Sequence, residues 1–99
     1  MRRAVVSIRS LLTAYREALA VSQRLAAADP TNAGWQRDLS FSLTRMAEFH
    51  ERQSNHAETL KLAEQSLAID ERLAALDPTN ATWRKDIAFS RALVARLRG

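Results

Sequence analysis

Apolar residues recur along most of this chain at the spacing of three and four positions that is typical of an α-helix. The apolar side chains of residues 56–76 fall on two opposed helix faces: Leu60, Ala63, Leu67 and Ala74 on one, and Leu62, Ile69, Leu73 and Leu76 on the other. A helix at the surface of a globular protein needs only one apolar stripe. Two opposed stripes therefore predict that this helix has a neighbour on each side, as in a stacked array.

Three breaks in the pattern divide the chain into four predicted helices. Pro30 and Pro78 end the helices before them, because proline disfavours the helical conformation of the residue that precedes it. The threonine and asparagine after each proline can cap the next helix, and Ser54 or Asn55 can do so at the third break. The predicted helices cover residues 4–28, 33–52, 56–76 and 81–98.

One segment of the chain occurs twice. Residues 19–42 and 67–90 are identical at 15 of 24 positions, at a fixed offset of 48 residues. Such self-similarity is the sequence signature of a repeat architecture. We therefore interpret the chain as a single helical domain, residues 1–99, that contains a partial repeat (1–32), a full repeat (33–80) and a second partial repeat (81–99).

The repeated pair of helices with a proline-bearing turn resembles the tetratricopeptide repeat family, whose repeat is about 34 residues long. With residues 54–56 placed at the turn inside a pair, the positions that the family fills with tryptophan, leucine, glycine and tyrosine are occupied by Leu43, Met46, Ala47 and His50. The small, aromatic and small positions of its second helix are occupied by Thr59, Ala63 and Ser66. Ala47 and Thr59 depart from the family's glycine and alanine, and the period of 48 residues is longer than the family's. The chain is thus similar to an elongated, divergent form of the repeat that occurs in bacterial multi-repeat proteins.

This resemblance implies an all-α fold in which four antiparallel helices form a short helix–turn–helix solenoid. A four-helix bundle, completed by dimerisation, is the alternative. The resemblance also implies a non-enzymatic protein–protein interaction module, which binds a peptide or a partner helix in a groove lined by the second and fourth helices. Candidate contact residues on those helices are Arg37, Phe41, Thr44, Arg45, Glu48, Arg84, Phe89 and Arg91.

The terminal helices suggest a second hypothesis, a homo-oligomerisation module. The first predicted helix lacks the helix that would precede it in a repeat, and the fourth lacks a successor. Repeat arrays normally cover such ends with polar capping units. Leu93, Val94 and Leu97 of the fourth helix are therefore expected to be uncovered and to contact either another copy of the chain, which builds a homodimer, or the rest of a longer protein.

The distribution of charge raises a third hypothesis, binding of nucleic acid through basic termini. The chain has 15 basic and 11 acidic residues, which gives a formal net charge of +4. Residues 1–9 carry three arginines and no acid, and residues 84–99 carry five basic residues and one acid. Phe89 is the only aromatic residue among these bases, and no run of like charge exceeds two, so solvated helix ends are the favoured interpretation and nucleic acid is a disfavoured partner.

Composition removes several classes of chemistry. The chain has no cysteine, which excludes disulfides, iron–sulfur clusters and thiol nucleophiles, and its two glycines cannot form a phosphate-binding loop. Its histidines, His50 and His56, lack the spacing of a metal-binding pair on one helix face. No catalytic, metal or cofactor site is therefore expected, and no stretch is long and apolar enough to span a membrane. We expect a cytoplasmic protein that is not an enzyme.

Overall fold

A computed structural model describes residues 7–99, which form four α-helices and no β-strand. The helices are α1 (Ile8–Ala28), α2 (Ala33–Arg52), α3 (His56–Leu76) and α4 (Ala81–Arg98). The predicted all-α class is confirmed, and α2, α3 and α4 have the predicted bounds. The first helix was predicted from residue 4, but Ser7 is its N-cap, with the Ser7 hydroxyl accepting a hydrogen bond from the Ser10 amide at 3.0 Å. Residues 1–6 lie outside the described part of the chain.

Asparagine side chains begin the other three helices. The Oδ1 atoms of Asn32 and Asn80 accept hydrogen bonds from the backbone amides of Trp35 and Trp83, each at 3.0 Å. Asn55 has the same role at the start of α3. A side chain that satisfies a free amide in the first turn stabilises a helix by about 1 kcal/mol. The predicted capping sites are therefore occupied by asparagine in each case.

The two Asp-Pro-Thr turns share the same hydrogen bonds. The Oδ1 atoms of Asp29 and Asp77 each accept from the backbone amide of the threonine two residues later at 3.1 Å and from its hydroxyl at 2.6 Å. Asp29 and Asp77 are also the C-terminal caps of α1 and α3, so the helices end before the prolines as predicted. The repeat in sequence is therefore also a repeat in local structure.

The helices pack in the order in which they occur along the chain. Within residues 7–99, close backbone contacts link α1 with α2, α2 with α3, and α3 with α4, whereas α1 approaches neither α3 nor α4 in this way. The molecule is correspondingly elongated, with dimensions of 52 × 34 × 24 Å. A closed four-helix bundle would bring α1 beside α4. The described residues therefore form an open array of helices and not a closed bundle.

Helix α3 forms the centre of the array, with α2 on one side and α4 on the other. Leu62, Ala63, Ile69 and Leu73 of α3 are buried, as the two opposed apolar stripes predict. Leu76 is an exception, since it is the last residue of α3, beside the turn, and is 74% exposed.

The apolar residues of α4 belong to the same core. Leu93, Val94 and Leu97 are 9%, 3% and 6% exposed, and they cluster with buried side chains of α2 and α3. The expectation that these three residues are uncovered and available for a homodimer is therefore wrong. The physical reason is that α4 packs Leu93, Val94 and Leu97 into the core that it shares with α2 and α3, while alanines and arginines occupy its outer face.

Candidate functional site

Helices α2 and α4 border a groove of about 480 Å³, which has α3 beneath it. We call it the α2–α4 groove. Its lining consists of Arg37, Ser40, Phe41, Thr44, Arg45, Glu48, Asp70, Lys85, Asp86, Phe89 and Ser90. The groove exists because α2 and α4 are repeat-equivalent helices that pack on the same central helix in the same orientation.

Two phenylalanines give the α2–α4 groove its apolar character. Phe41 and Phe89 are equivalent positions of the repeat, and they are 46% and 55% exposed. The guanidinium carbon of Arg37 lies 4.5 Å from the centre of the Phe41 ring, which is a cation–π contact. Large apolar side chains exposed on a concave surface are typical of an interaction site.

An ion pair joins α2 and α4 across the groove. Arg37 donates from Nε to Oδ2 of Asp86 at 2.6 Å and from Nη2 to Oδ1 at 3.2 Å. The hydrogen bonds to Asp86 raise the pKa of the Arg37 guanidinium above its ordinary value. Because the two residues lie on corresponding helices of successive repeats, the pair helps to fix the width of the groove.

The floor of the groove contains a buried carboxyl group. Asp70 of α3 is 3% exposed, and its Oδ1 accepts a hydrogen bond from Ser40 Oγ at 2.7 Å. Its Oδ2 accepts a hydrogen bond from Ser90 Oγ. Burial raises the pKa of the Asp70 carboxyl, and the hydroxyls of Ser90 and Ser40 oppose this shift by donating to the charged form. The carboxyl group of Asp70 thus links α2, α3 and α4 at one point.

A cluster of hydroxyl groups continues between α2 and α3. The Oγ atoms of Ser40 and Ser66 lie 2.7 Å apart, and Thr44 Oγ1 lies 2.9 Å from Ser66 Oγ. Among residues 7–99, every buried side-chain nitrogen or oxygen atom has a hydrogen-bond partner. These hydroxyls bond to one another, and Ser40 also bonds to Asp70, so the network links α2 to α3.

Six of the eight predicted contact residues line the α2–α4 groove: Arg37, Phe41, Thr44, Arg45, Glu48 and Phe89. Arg84 and Arg91 do not line it. A helix turns about 100° per residue, so these two side chains lie about 140° and about 200° from Phe89 around the axis of α4. Both are exposed on the other side of that helix. The role of the six groove residues in binding a partner stays a prediction.

The polar floor of the groove was not predicted from the sequence. The repeat contained a signal for Asp70, because the offset of 48 residues aligns it with Ser22, and because it shares a helix face with the apolar Ile69 and Leu73. A carboxylate on a buried face requires hydrogen-bond donors on the neighbouring helices. Here Ser40 and Ser90 are those donors.

The basic residues at the end of α4 are partly compensated by acids. Arg96 donates to Glu51 at 2.7 and 3.1 Å, and Arg98 pairs with Glu64. Hydrogen bonding from Arg96 lowers the pKa of the Glu51 carboxyl. The arginines that precede residue 7 lie outside the described part of the chain, so the hypothesis of a nucleic-acid surface at the basic termini stays untested.

Residues 7–99 include no group of three or more histidine, cysteine, aspartate or glutamate side chains placed to hold a metal ion, and none of their helices is long and apolar enough to cross a membrane. No protein-family model, curated protein or solved structure matches this chain.

Proposed function

We propose that this chain is a non-enzymatic protein–protein interaction module of the tetratricopeptide type, which binds a peptide or a partner helix in the α2–α4 groove. The observation that carries the proposal is the exposure of Phe41 and Phe89 on a concave surface bordered by charged side chains. The energy of protein interfaces is concentrated in a few residues, and aromatic and arginine side chains are enriched among them. The groove presents both types together.

The charges of the groove favour one kind of partner. Arg37 is compensated by Asp86, whereas Arg45 and Lys85 form no ion pair within residues 7–99. The rim therefore has unpaired positive charge at Arg45 and Lys85, negative charge at Glu48, and a neutral pair at Arg37 and Asp86. We expect the partner to present apolar side chains flanked by acidic ones, because such a segment would fill the space between the phenylalanines and pair with the free cations.

The arrangement of the helices supports the tetratricopeptide type. Helices α2 and α3 form the complete pair, and the turn between them contains Ser54 with a φ of 60°. Helices α1 and α4 extend this pair on either side in the same neighbour-to-neighbour manner. The proposal includes membership of the elongated bacterial form of the repeat and a cytoplasmic location.

Selection from a random peptide library displayed on phage tests the proposed function. Peptides selected on the wild-type chain should bind the Phe89→Ala variant about tenfold more weakly or worse, because truncation removes an aromatic anchor from the groove. The matched control is Leu76→Ala, which removes an exposed apolar side chain outside the groove and should leave the affinity unchanged. A library that yields no binder, or binders that do not distinguish the two variants, would contradict the proposal.

A further inference from the structure

Helix α1 has an apolar face that its repeat equivalent, α3, keeps buried. Val21 and Leu25 of α1 are 46% and 37% exposed. The residues 48 positions later, Ile69 and Leu73, are 5% and 3% exposed, because α2 and α4 pack on both sides of α3. Val21 and Leu25 instead line an open cleft of about 420 Å³ between α1 and α2, which we call the α1–α2 cleft. In the repeat, α2 occupies the position beside α3 that corresponds to this cleft.

The helix equivalent to α2 is α4, and the residue types on its outer face correspond to those on the facing side of α1. In the α2–α3 pair, the hydroxyl of Ser66 lies 2.7 Å from that of Ser40 and 2.9 Å from that of Thr44. At the corresponding positions all three residues are alanines, all exposed: Ala18 on α1, and Ala88 and Ala92 on α4. Both members of each pair of faces have therefore changed from hydroxyl-bearing residues to alanine together. Hydroxyls meet hydroxyls inside the molecule, and alanines would meet alanines if α4 of one molecule packed on α1 of another.

The charges on the two faces are also complementary. Inside the chain, Arg37 of α2 pairs with Asp86 of α4. The repeat equivalent of Arg37 is Lys85, and that of Asp86 is Asp38, which lines the α1–α2 cleft. Neither Lys85 nor Asp38 has an ion-pair partner within the described residues. A helix α4 that entered the cleft in the geometry of the repeat would bring Lys85 beside Asp38 of the neighbouring molecule.

We infer that copies of this chain associate head to tail, with α4 of one copy seated in the α1–α2 cleft of the next. The contact would continue the array of helices from one copy to the next. Helix α4 would pack against α1 of the next copy as its repeat equivalent α2 packs against α3. The two surfaces in contact are different, so the interface is heterologous and does not close at a dimer. This association differs from a homodimer through Leu93, Val94 and Leu97, which are buried in the core.

One residue limits the strength of the contact. Arg91 on α4 occupies the position of Leu43, which is 4% exposed in the α2–α3 pair. A guanidinium at this position must keep its hydration or find a partner at the edge of the contact, which weakens the association relative to packing inside the chain. The variant Arg91→Leu should therefore associate more tightly than the wild type, and unchanged or weaker association would contradict the proposed geometry.

Molar mass in solution, measured by sedimentation from low micromolar to millimolar concentration, tests the inference directly. The wild-type average mass should rise with concentration beyond twice the 11.1 kDa of the chain. Ala18→Glu and Ala92→Glu each place a charge on one of the two faces, and both residues are exposed, so the isolated fold should persist by circular dichroism. Each variant alone should remain a monomer. The matched control is Ala68→Glu on an exposed position of α3 outside the grooves, which should assemble as the wild type does.

A mixture of the two variants gives the most specific result. The intact α4 of Ala18→Glu can enter the intact cleft of Ala92→Glu, but neither can extend further. The mixture should therefore form an equimolar complex of twice the chain mass and nothing larger. A wild-type chain that stays at 11.1 kDa throughout, a mixture that stays monomeric, or a variant that assembles on its own would overturn the inference.

Discussion

The buried carboxyl of Asp70 allows a matched test of the packing between successive repeats. Ser90 donates a hydrogen bond to Asp70, and the repeat-equivalent hydroxyl, that of Ser42, shares a hydrogen bond with Ser22 at 3.1 Å. The substitutions Ser90→Ala and Ser42→Ala therefore delete the same atom from corresponding places. Only the first leaves a carboxylate with one donor fewer in a buried site.

The expected magnitudes differ because the partners differ. A hydrogen bond to a charged group contributes about 1.5–3 kcal/mol, whereas one between neutral groups contributes about 1 kcal/mol. Ser90→Ala should therefore reduce the free energy of unfolding by about 0.5–2 kcal/mol more than Ser42→Ala does. In a domain of this size each kcal/mol corresponds to a shift of about 4–8 °C in the midpoint of thermal unfolding.

The two variants should also differ in their dependence on pH. The Ser90 hydroxyl lowers the pKa of Asp70, so its removal raises the folded pKa further above the ordinary value. The loss of stability in Ser90→Ala should be fully present above the folded pKa of Asp70 and should shrink as the pH falls through it. The reason is that a hydrogen bond from a hydroxyl stabilises the charged carboxylate more than the protonated carboxyl. The loss in Ser42→Ala should not vary over the same interval.

Urea unfolding followed by far-ultraviolet circular dichroism provides the measurement, at low micromolar concentration so that self-association does not contribute. Equal losses of stability in the two variants would refute the reasoning. A loss in Ser90→Ala that is independent of pH would refute it as well, because it would mean that Asp70 holds no charge that the hydroxyl stabilises.

Three further predictions concern the core, the buried charge and the caps. Leu93→Ala should reduce the free energy of unfolding by about 2–5 kcal/mol, whereas Leu76→Ala should change it by less than about 0.5 kcal/mol, because the first residue is buried and the second is exposed; equal effects in urea unfolding would contradict the burial. Because the folded pKa of Asp70 is raised, the folded state binds its proton more tightly than the unfolded state. The stability of the wild type relative to Asp70→Asn should therefore fall as the pH rises from the ordinary aspartate value through the folded one, and a difference that is constant with pH in the same assay would contradict this. Asn32→Ala and Asn80→Ala should each reduce stability by about 1 kcal/mol, since the two caps have the same geometry, and a twofold difference in thermal unfolding would contradict that equivalence.

The helix bounds could be predicted because several local signals coincide at each break. The sequence Asp-Pro-Thr-Asn supplies a C-terminal cap, a residue that stops the helix and an N-terminal cap within four positions, and it occurs twice. The start of α1 was the exception. There the apolar pattern continued before Ser7, and only the hydrogen bond that the Ser7 hydroxyl accepts from the Ser10 amide places the boundary.

The packing partners of each face could not be predicted in the same way. An apolar stripe indicates that a face is covered, but it does not indicate which helix covers it, and the stripe of Leu93, Val94 and Leu97 fits contact with α3 as well as contact with another molecule. The groove was anticipated on α2 and α4, yet Arg84 and Arg91 were misplaced because their residue type, and not their angle around α4, suggested them. The rotation of about 100° per residue along α4 separates both of them from Phe89.

The claim that the α2–α4 groove binds a peptide or a partner helix is tested most directly by mapping amide chemical shifts. The isotope-labelled chain is titrated with a peptide selected by display on the wild type. The largest perturbations should fall on the groove-lining residues of α2 and α4, including Phe41 and Phe89, while the exposed side of α3 around Lys61 and Ala68 should be unaffected. Perturbations concentrated on that side of α3, with the groove unchanged at saturation, would contradict the proposed function.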